Sequence, residues 1–320
     1  MSRRVLVTDK ISESGMAALR DDPRFEVMIE DDSTSPRFED GLAEAEALVV
    51  RSATTVGGEM MDRAPRLKVI GRAGVGVDNI DIRAASDRGI AVVNAPSGNT
   101  IAAAELTMAL ILSTVRHVAA ADASIRAGNW DRAAFTGVEL KGRRLGLIGA
   151  GRIGAEVAIR CTAFGMDVII YDPYLSEDRA REIGSRLTNL DEVIETSDVI
   201  SLHVPLTDET RNLLDAATFD RMKPGTFVVN VSRGGVVNEA ALAAALASGH
   251  LGGAGLDVYE DEPLSENSPL RTAPHLTLTP HIGASTVEAQ DHVAVEVAQT
   301  VARILADGDT SLALNGSALS

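Results

Sequence analysis

The chain alternates short aliphatic runs with longer mixed stretches, and that pattern predicts its elements. Val5-Leu-Val-Thr8, Phe25 to Ile29, Ala47-Leu-Val-Val50, Val69-Ile-Gly-Arg72 and Ile90 to Asn94 have the length and near-continuous apolarity of strands buried on both faces. Between them, Ser12 to Arg20 predicts a short helix capped by Ser12, and Gly41 to Ala45 part of a second. A second series begins at Leu145. Its strands are Leu145 to Ile148, Val168 to Asp172, Asp198 to Leu202, Phe227 to Val231, Ala254 to Val258 and Leu276 to Thr279. Ala155 to Ala163 reads as an amphipathic helix, and the alanine-rich helix Glu239 to Ala247 is stopped by Ser248-Gly249. Strands alternating with helices predict an α/β protein with two doubly wound parallel sheets.

Asn94-Ala-Pro-Ser-Gly-Asn-Thr100 interrupts the first series and reads as a linker. Ile101 to Ala121 then predicts one long helix, apolar on too many sides for a surface helix, so buried or facing a second subunit. Gly128 to Gly142 is a loop, and Val287 to Ala306 is a second long helix that returns to the first domain. The tail from Asp307 is polar and expected to be loosely ordered. The expected domains are 1–97 with 288–320, and 98–287, with a cleft between them as a place for a small ligand.

One stretch carries specific chemistry. The strand Leu145 to Ile148 runs into Gly149-Ala-Gly151-Arg-Ile-Gly154, then a helix, then a strand ending at Asp172. Gly149 allows a tight turn, Gly151 lets backbone approach a pyrophosphate, and Gly154 lets helix and strand pack closely. The helix start offers unpaired N–H groups to phosphate. Asp172 falls where an acid holds the adenosine ribose and repels a 2′-phosphate, which favours NAD over NADP. The expected fold is therefore Rossmann-like in both halves, with NAD as cofactor.

Composition narrows the partners. A hydrophobic share of 45% with only 3% aromatics fits an aliphatic α/β core. A net charge of −16 argues against nucleic acid or acidic membrane, and an anionic substrate then needs locally gathered arginines. Cys161, the one cysteine, reads as a small buried hydrophobe, and no disulfide within the chain is possible. No signal-like apolar run or membrane-span length is found, so a soluble cytoplasmic protein is expected. No cysteine cluster, H-E-x-x-H or acidic pair suggests a metal.

Arg233, Glu262 and His281 fall on loops after successive strands of the second series. Hydride exchange with a hydroxy acid needs a cation for the carboxylate, a base for the hydroxyl proton and a group orienting that base. Arginine, histidine and a carboxylate suit those roles. His203 ends a strand and is expected to line the cofactor through its backbone, whereas His117, His250, His275 and His292 read as structural.

The chain resembles the D-isomer-specific 2-hydroxyacid dehydrogenases over nearly its whole length. The matching stretches include Val50 to Val56, Gly71 to Asp81, Asn94 to Thr100, Gly149 to Gly154, Asn230 to Gly235, Leu256 to Pro263 and Thr279 to Ser285. By resemblance, Arg233 binds the substrate carboxylate and carbonyl, His281 is the acid/base and Glu262 its partner. Arg152 and Ile153 contact the pyrophosphate, and Asp172 with Pro173 holds the ribose. His203, Val204, Pro205, Val231 and Gly283 line the cofactor with His281, and Asp257 binds the carboxamide. Val75 and Gly76 offer backbone N–H groups to the carboxylate, and Arg51, Ser52 and Arg72 meet a distal phosphate. Arg132 resembles an arginine lent to a neighbouring active site, which with the apolar helix implies a homodimer. The substrate so implied is a short anionic 2-hydroxy or 2-oxo acid, foremost 3-phospho-D-glycerate, oxidised to 3-phosphohydroxypyruvate at the start of serine biosynthesis. The alternatives are glyoxylate or hydroxypyruvate reduction, and an NAD-sensing corepressor-like binder. Many relatives carry C-terminal regulatory domains, one of which senses serine. This chain stops after its return helix, so feedback through such a domain is not expected.

Overall fold

The computed structural model describes residues 2–319, and the chain divides into two compact units. One runs to Asn99 and resumes at Ala284, and the other spans Thr100–Gly283.

The first unit is built on β1 (Arg3–Val7), β2 (Phe25–Ile29), β3 (Ala47–Val50), β4 (Val69–Arg72) and β5 (Ala91–Asn94), all parallel in the order β2-β1-β3-β4-β5. Period-two alternation splits each strand between two cores. Ala47 and Val49 pack with Val293, Val297 and Val301, while Leu48 and Val50 pack with Phe38, Leu42 and Met61. The Val287–Asp307 helix buries Ala289, Val293, Val297, Val301 and Ile304, a stripe at helical spacing. Thr286 caps its start and Gly308, left-handed at φ 69°, ends it. The sheet grows in opposite directions from β1 and β3, so a switch point lies between their carboxyl ends.

Two expectations for this unit are corrected, for the first helix and the tail, and the second helix holds but starts earlier than Gly41. The first helix is only Ala17–Arg20, and Ser12 sits ahead of it rather than at its cap: its hydroxyl donates to the Asp291 carboxylate and accepts from the Gly15 amide at 3.4 Å. The second spans Pro36–Glu44, started by Ser35, whose side chain accepts from the Phe38 amide. The tail is pinned rather than loose. Asn315 is buried, accepts from the Val92 amide at 3.0 Å and donates to the Ile90 carbonyl at 2.9 Å.

The second unit contains β6 (Arg144–Ile148), β7 (Asp167–Tyr171), β8 (Arg186–Leu187), β9 (Val199–Leu202), β10 (Thr226–Asn230), β11 (Leu251–Leu256) and β12 (Leu276–Leu278). They form one parallel sheet in the order β12-β11-β10-β9-β6-β7-β8, which places its switch point between β6 and β9. Leu145 and Leu147 pack on one face with Ile111, Val157 and Cys161, and Ile148 packs on the other with Val193, Phe219 and Leu242.

The single helix expected over 101–121 is two, Thr100–Val115 and Val118–Arg126, bent by 64°. The Val115 carbonyl accepts from the Val138 amide at 2.9 Å, so the returning chain takes the acceptor that would have continued the helix. His117 absorbs the turn at φ 54°. Only the first piece is buried, while the second buries none of its side chains. Among the described residues no single helix is long and apolar enough to cross a membrane.

Candidate active site

The second sheet's switch point is where the glycine loop sits. Ligands of open α/β sheets bind beyond the carboxyl strand ends at such a point. Gly149, at φ 88°, lies so close to the chain after β9 that a Cβ there would be 2.5 Å from the His203 carbonyl oxygen and 2.9 Å from Val204 Cγ1. A Cβ on Gly154 would overlap the Gly149 carbonyl, which presses the Arg152–Ala163 helix onto the loop. A Cβ on Gly151 would meet nothing within 4 Å, so open space faces the helix start. Asp172 closes the turn, accepting from the Ala150 amide at 2.8 Å and the Tyr174 amide at 2.9 Å. Tight packing at two glycines and free space at the third fit a dinucleotide pyrophosphate. Arg152 and Pro173 are exposed and Ile153 half-buried beside this loop.

His203 is held by burial at a pKa of about 4, so its ring is neutral near pH 7, with Nε2 2.9 Å from Ser201 Oγ. Val204 is half-buried and Pro205 exposed, while Val231 is buried with Cγ1 3.3 Å from where a Gly283 Cβ would lie.

Glu262 and His281 meet in this unit. His281 Nδ1 is 2.6 Å from Glu262 Oε2. An ionised carboxylate only accepts, so Nδ1 carries the proton and Nε2 keeps the lone pair of a base. The other Glu262 oxygen accepts from the Tyr259 amide at 3.1 Å. His281 itself sits at φ 51°, a left-handed conformation that its surroundings must impose.

Those surroundings are buried polar groups. Asp257 has no exposed surface; its Oδ1 accepts from Thr279 Oγ1 at 2.6 Å and the Ile282 amide at 2.8 Å, and its Oδ2 from the Gly283 amide at 2.8 Å. Burial raises its pKa, against the pull of those donors and of nearby His281. These bonds brace the loop that carries His281 onto Asp257, the residue the sequence expectation gave the carboxamide. Tyr259, pushed up to about 12 by burial, ties the same loop by donating from its hydroxyl to the Thr279 carbonyl at 2.7 Å.

Arg233 is aimed by Asn230, which is buried at the end of β10. Its Nδ2 donates to the Arg233 carbonyl at 2.8 Å, and its Oδ1 accepts from the Ser232 amide at 2.9 Å. A Cβ on Gly234 would overlap the Tyr259 carbonyl, so the Arg233 loop lies directly against the loop leading to Glu262. Glu239, its pKa raised by burial and by the charges of Glu260 and Asp261, accepts from the Glu260 amide at 2.7 Å on the other side. Asn230, Tyr259, Thr279 and Glu239 went unread in the sequence. The one signal was a polar residue ending an apolar run, as Asn230 does.

The remaining predicted residues lie elsewhere. Arg51, Ser52, Arg72, Val75 and Gly76 belong to the first unit, after β3 and β4. The Arg51 guanidinium enters none of the ion pairs among the described residues. The Arg72 guanidinium lies against Gly74, and Asn94 holds the Val75 carbonyl at 2.6 Å. Arg132 is exposed, at the start of the Ala133–Phe135 turn. Cys161 is buried, its thiol pushed up to about 12, which suits packing rather than chemistry. Among the described residues no group of three or more histidine, cysteine or acidic side chains could hold a metal.

Comparison with known proteins bears on this geometry. The family model described as D-isomer specific 2-hydroxyacid dehydrogenase, NAD binding domain, matches residues 108–283. The chain is 46% identical to D-3-phosphoglycerate dehydrogenase 2, chloroplastic, of Arabidopsis thaliana, over 98% of this chain and 50% of that one. It is also 46% identical to D-3-phosphoglycerate dehydrogenase of Bacillus subtilis, over 93% of this chain and 56% of that one. The chain thus spans about half the length of the curated relatives it matches. Among solved structures, D-lactate dehydrogenase from Aquifex aeolicus, complexed with NAD and lactic acid, superposes with a TM-score of 0.82 at 31% identity, covering 97% of both chains. The TT0316 protein of Thermus thermophilus does so at 0.84 and 37% identity, covering 94% of this chain and 96% of that one.

Proposed function

This chain belongs to the D-isomer-specific 2-hydroxyacid dehydrogenases, and we propose that within that family it oxidises 3-phospho-D-glycerate to 3-phosphohydroxypyruvate with NAD. The observation that carries the chemistry is the His281–Glu262 pair, with the proton on Nδ1 and a lone pair on Nε2. NAD, when bound, would supply the acceptor for the hydride leaving the substrate's C2. Gly151, Arg152 and the helix start would hold its pyrophosphate, and Asp172 its ribose.

His281 Nε2 takes the hydroxyl proton as the carbon–hydrogen bond is broken, and Glu262 stabilises the imidazolium so formed. Arg233 grips the carboxylate and polarises the forming carbonyl. Arg51, Ser52 and Arg72 take the distal phosphate, with the Val75 and Gly76 amides on the carboxylate. The unpaired Arg51 guanidinium supports phosphate over an unphosphorylated acid, because it is available for a bidentate anion contact. The names of the curated relatives support the same substrate.

On this reading residues 98–287 bind NAD, while 1–97 with 288–320 bind substrate. The enzyme starts serine biosynthesis in the cytoplasm, as a homodimer to which each chain lends Arg132. The exposed Trp130 and Ile125, at 81% and 49%, support a subunit contact beside Arg132. The test is NADH formation from 3-phospho-D-glycerate by the purified chain. Turnover of glyoxylate or hydroxypyruvate, with none of the phosphorylated acid, would overturn the substrate. NAD binding without turnover of any 2-hydroxy or 2-oxo acid would favour a binder.

A further inference from the structure

The loop that presents Arg51 is locked from two sides by side chains not assigned any role so far. It leaves β3 at the first sheet's switch point, next to the carboxyl end of β1. Asp9, two residues past β1 and only 5% exposed, turns its carboxylate onto this loop. One oxygen accepts from the Arg51 amide and, at 3.4 Å, from the Thr54 amide. The other accepts from Thr54 Oγ1 at 2.6 Å, and Thr8 Oγ1 donates to that hydroxyl at 2.9 Å. Asn79, in the segment after β4, holds the carbonyls: its Nδ2 donates to Arg51 at 2.8 Å and to Thr54 at 2.5 Å. Donors and acceptors at both ends of the Arg51–Thr54 loop are therefore fixed by two buried or half-buried side chains.

A buried carboxylate beneath an anion-binding arginine is an unexpected choice, since like charge repels phosphate. It is tolerable where amide and hydroxyl donors surround the carboxylate, as they do here. Those bonds also use up the Arg51 and Thr54 amides, so an anion at this loop must be met by the Arg51 and Ser52 side chains. The wider surroundings explain why the frame is rigid, because β1 and β3 beneath it are fully buried from Val5 to Val7 and from Ala47 to Val50.

We propose that Asp9 and Asn79 are positioning residues that fix the Arg51–Thr54 loop and thereby set the preference for a phosphorylated over an unphosphorylated 2-hydroxy acid. The inference rests on the reading of Arg51 as a phosphate ligand. Neither residue touches the reacting atoms, so the effect falls on binding of the distal group.

The experiment is steady-state kinetics on the full chain with 3-phospho-D-glycerate and with D-glycerate, for wild type, Asp9→Asn, Asn79→Asp, Thr54→Val and Thr54→Ser. The first two are isosteric and set donor against donor or acceptor against acceptor. Each is expected to raise KM for the phosphorylated acid by roughly 10- to 100-fold. Their kcat, and their KM for D-glycerate, stay within about twofold. Thr54→Val, which removes the two bonds of the Thr54 hydroxyl and keeps the Asp9–amide and Asn79–carbonyl anchors, moves KM the same way by less, and Thr54→Ser behaves as wild type. It decides the matter if the isosteric variants do not fold. Equal losses on both substrates, or no loss on either, would overturn the inference alone. A wild-type enzyme indifferent to the phosphate would overturn the substrate reading, and this inference with it.

Discussion

At the scale of single residues the chemistry depends on how few options each side chain has. His281 is fixed in one tautomer by Glu262, and Glu262 is fixed by the Tyr259 amide, so the proposed base is oriented by the protein itself. Replacing His281 by Asn should leave NAD affinity unchanged and lower kcat by about 10²–10⁴-fold, measured by NADH formation and by cofactor titration. Wild-type turnover would remove His281 from the role. Asp172→Ala should weaken NAD and relax discrimination against NADP, and an unchanged cofactor preference would take Asp172 off the ribose.

His203 gives a pH prediction. Its folded pKa of about 4 lies below the ordinary 6.5 because burial disfavours the charged ring. Below pH 6.5 the unfolded chain takes up a proton that the folded chain refuses. The stability is present above pH 6.5 and is lost as pH falls toward 4, up to about 3 kcal/mol. Urea midpoints at about pH 7 and about pH 5 should converge in His203→Gln relative to wild type, and parallel curves would contradict this.

At the scale of elements, close backbone approach carries the cofactor loop. Gly154→Ala places a methyl on the Gly149 carbonyl, and two stretches of backbone cannot both yield. We expect destabilisation of about 1–3 kcal/mol with loss of NAD affinity, read by thermal melting with and without cofactor. Unaltered affinity would show that the loop has slack. The tail offers a parallel test. Asn315→Ala leaves the Val92 amide and Ile90 carbonyl without partners and should cost roughly 2–3 kcal/mol by denaturant titration.

Elements also show what was legible in the sequence. The buried strands were, because parallel strands covered on both faces are continuous aliphatic runs. Short helices such as Ile82–Asp87, Leu190–Thr196 and Ala216–Arg221 were not, since a helix that short is made by its packing rather than its composition. The break after Val115 and the docking of the tail were hidden for a related reason: each depends on hydrogen bonds to distant residues, Val138 in one case and Ile90 and Val92 in the other. In the site, ionisable groups at strand ends were readable. The buried partners Asn230, Asp257 and Asp9 were not, because a polar residue names its partner only once the loops have met.

For the molecule as a whole, two sheets of the same kind do different work. Each places a loop at its switch point. One loop is glycine-rich, with tight contacts and open space, and the other is braced by Asp9 and Asn79 around an arginine. On the proposed reading, a chain of net charge −16 meets an anionic substrate through a few arginines at strand ends, Arg51, Arg72 and Arg233, while exposed arginines such as Arg63, Arg66 and Arg186 are paired with acids. The most direct measurement is the rate of NADH formation from 3-phospho-D-glycerate by the wild-type chain and by His281→Asn, with D-glycerate as the unphosphorylated control. The account predicts turnover by wild type, preference for the phosphorylated acid and loss of turnover with the imidazole. Equal rates for the two proteins, or no NADH from the phosphorylated acid, would contradict it.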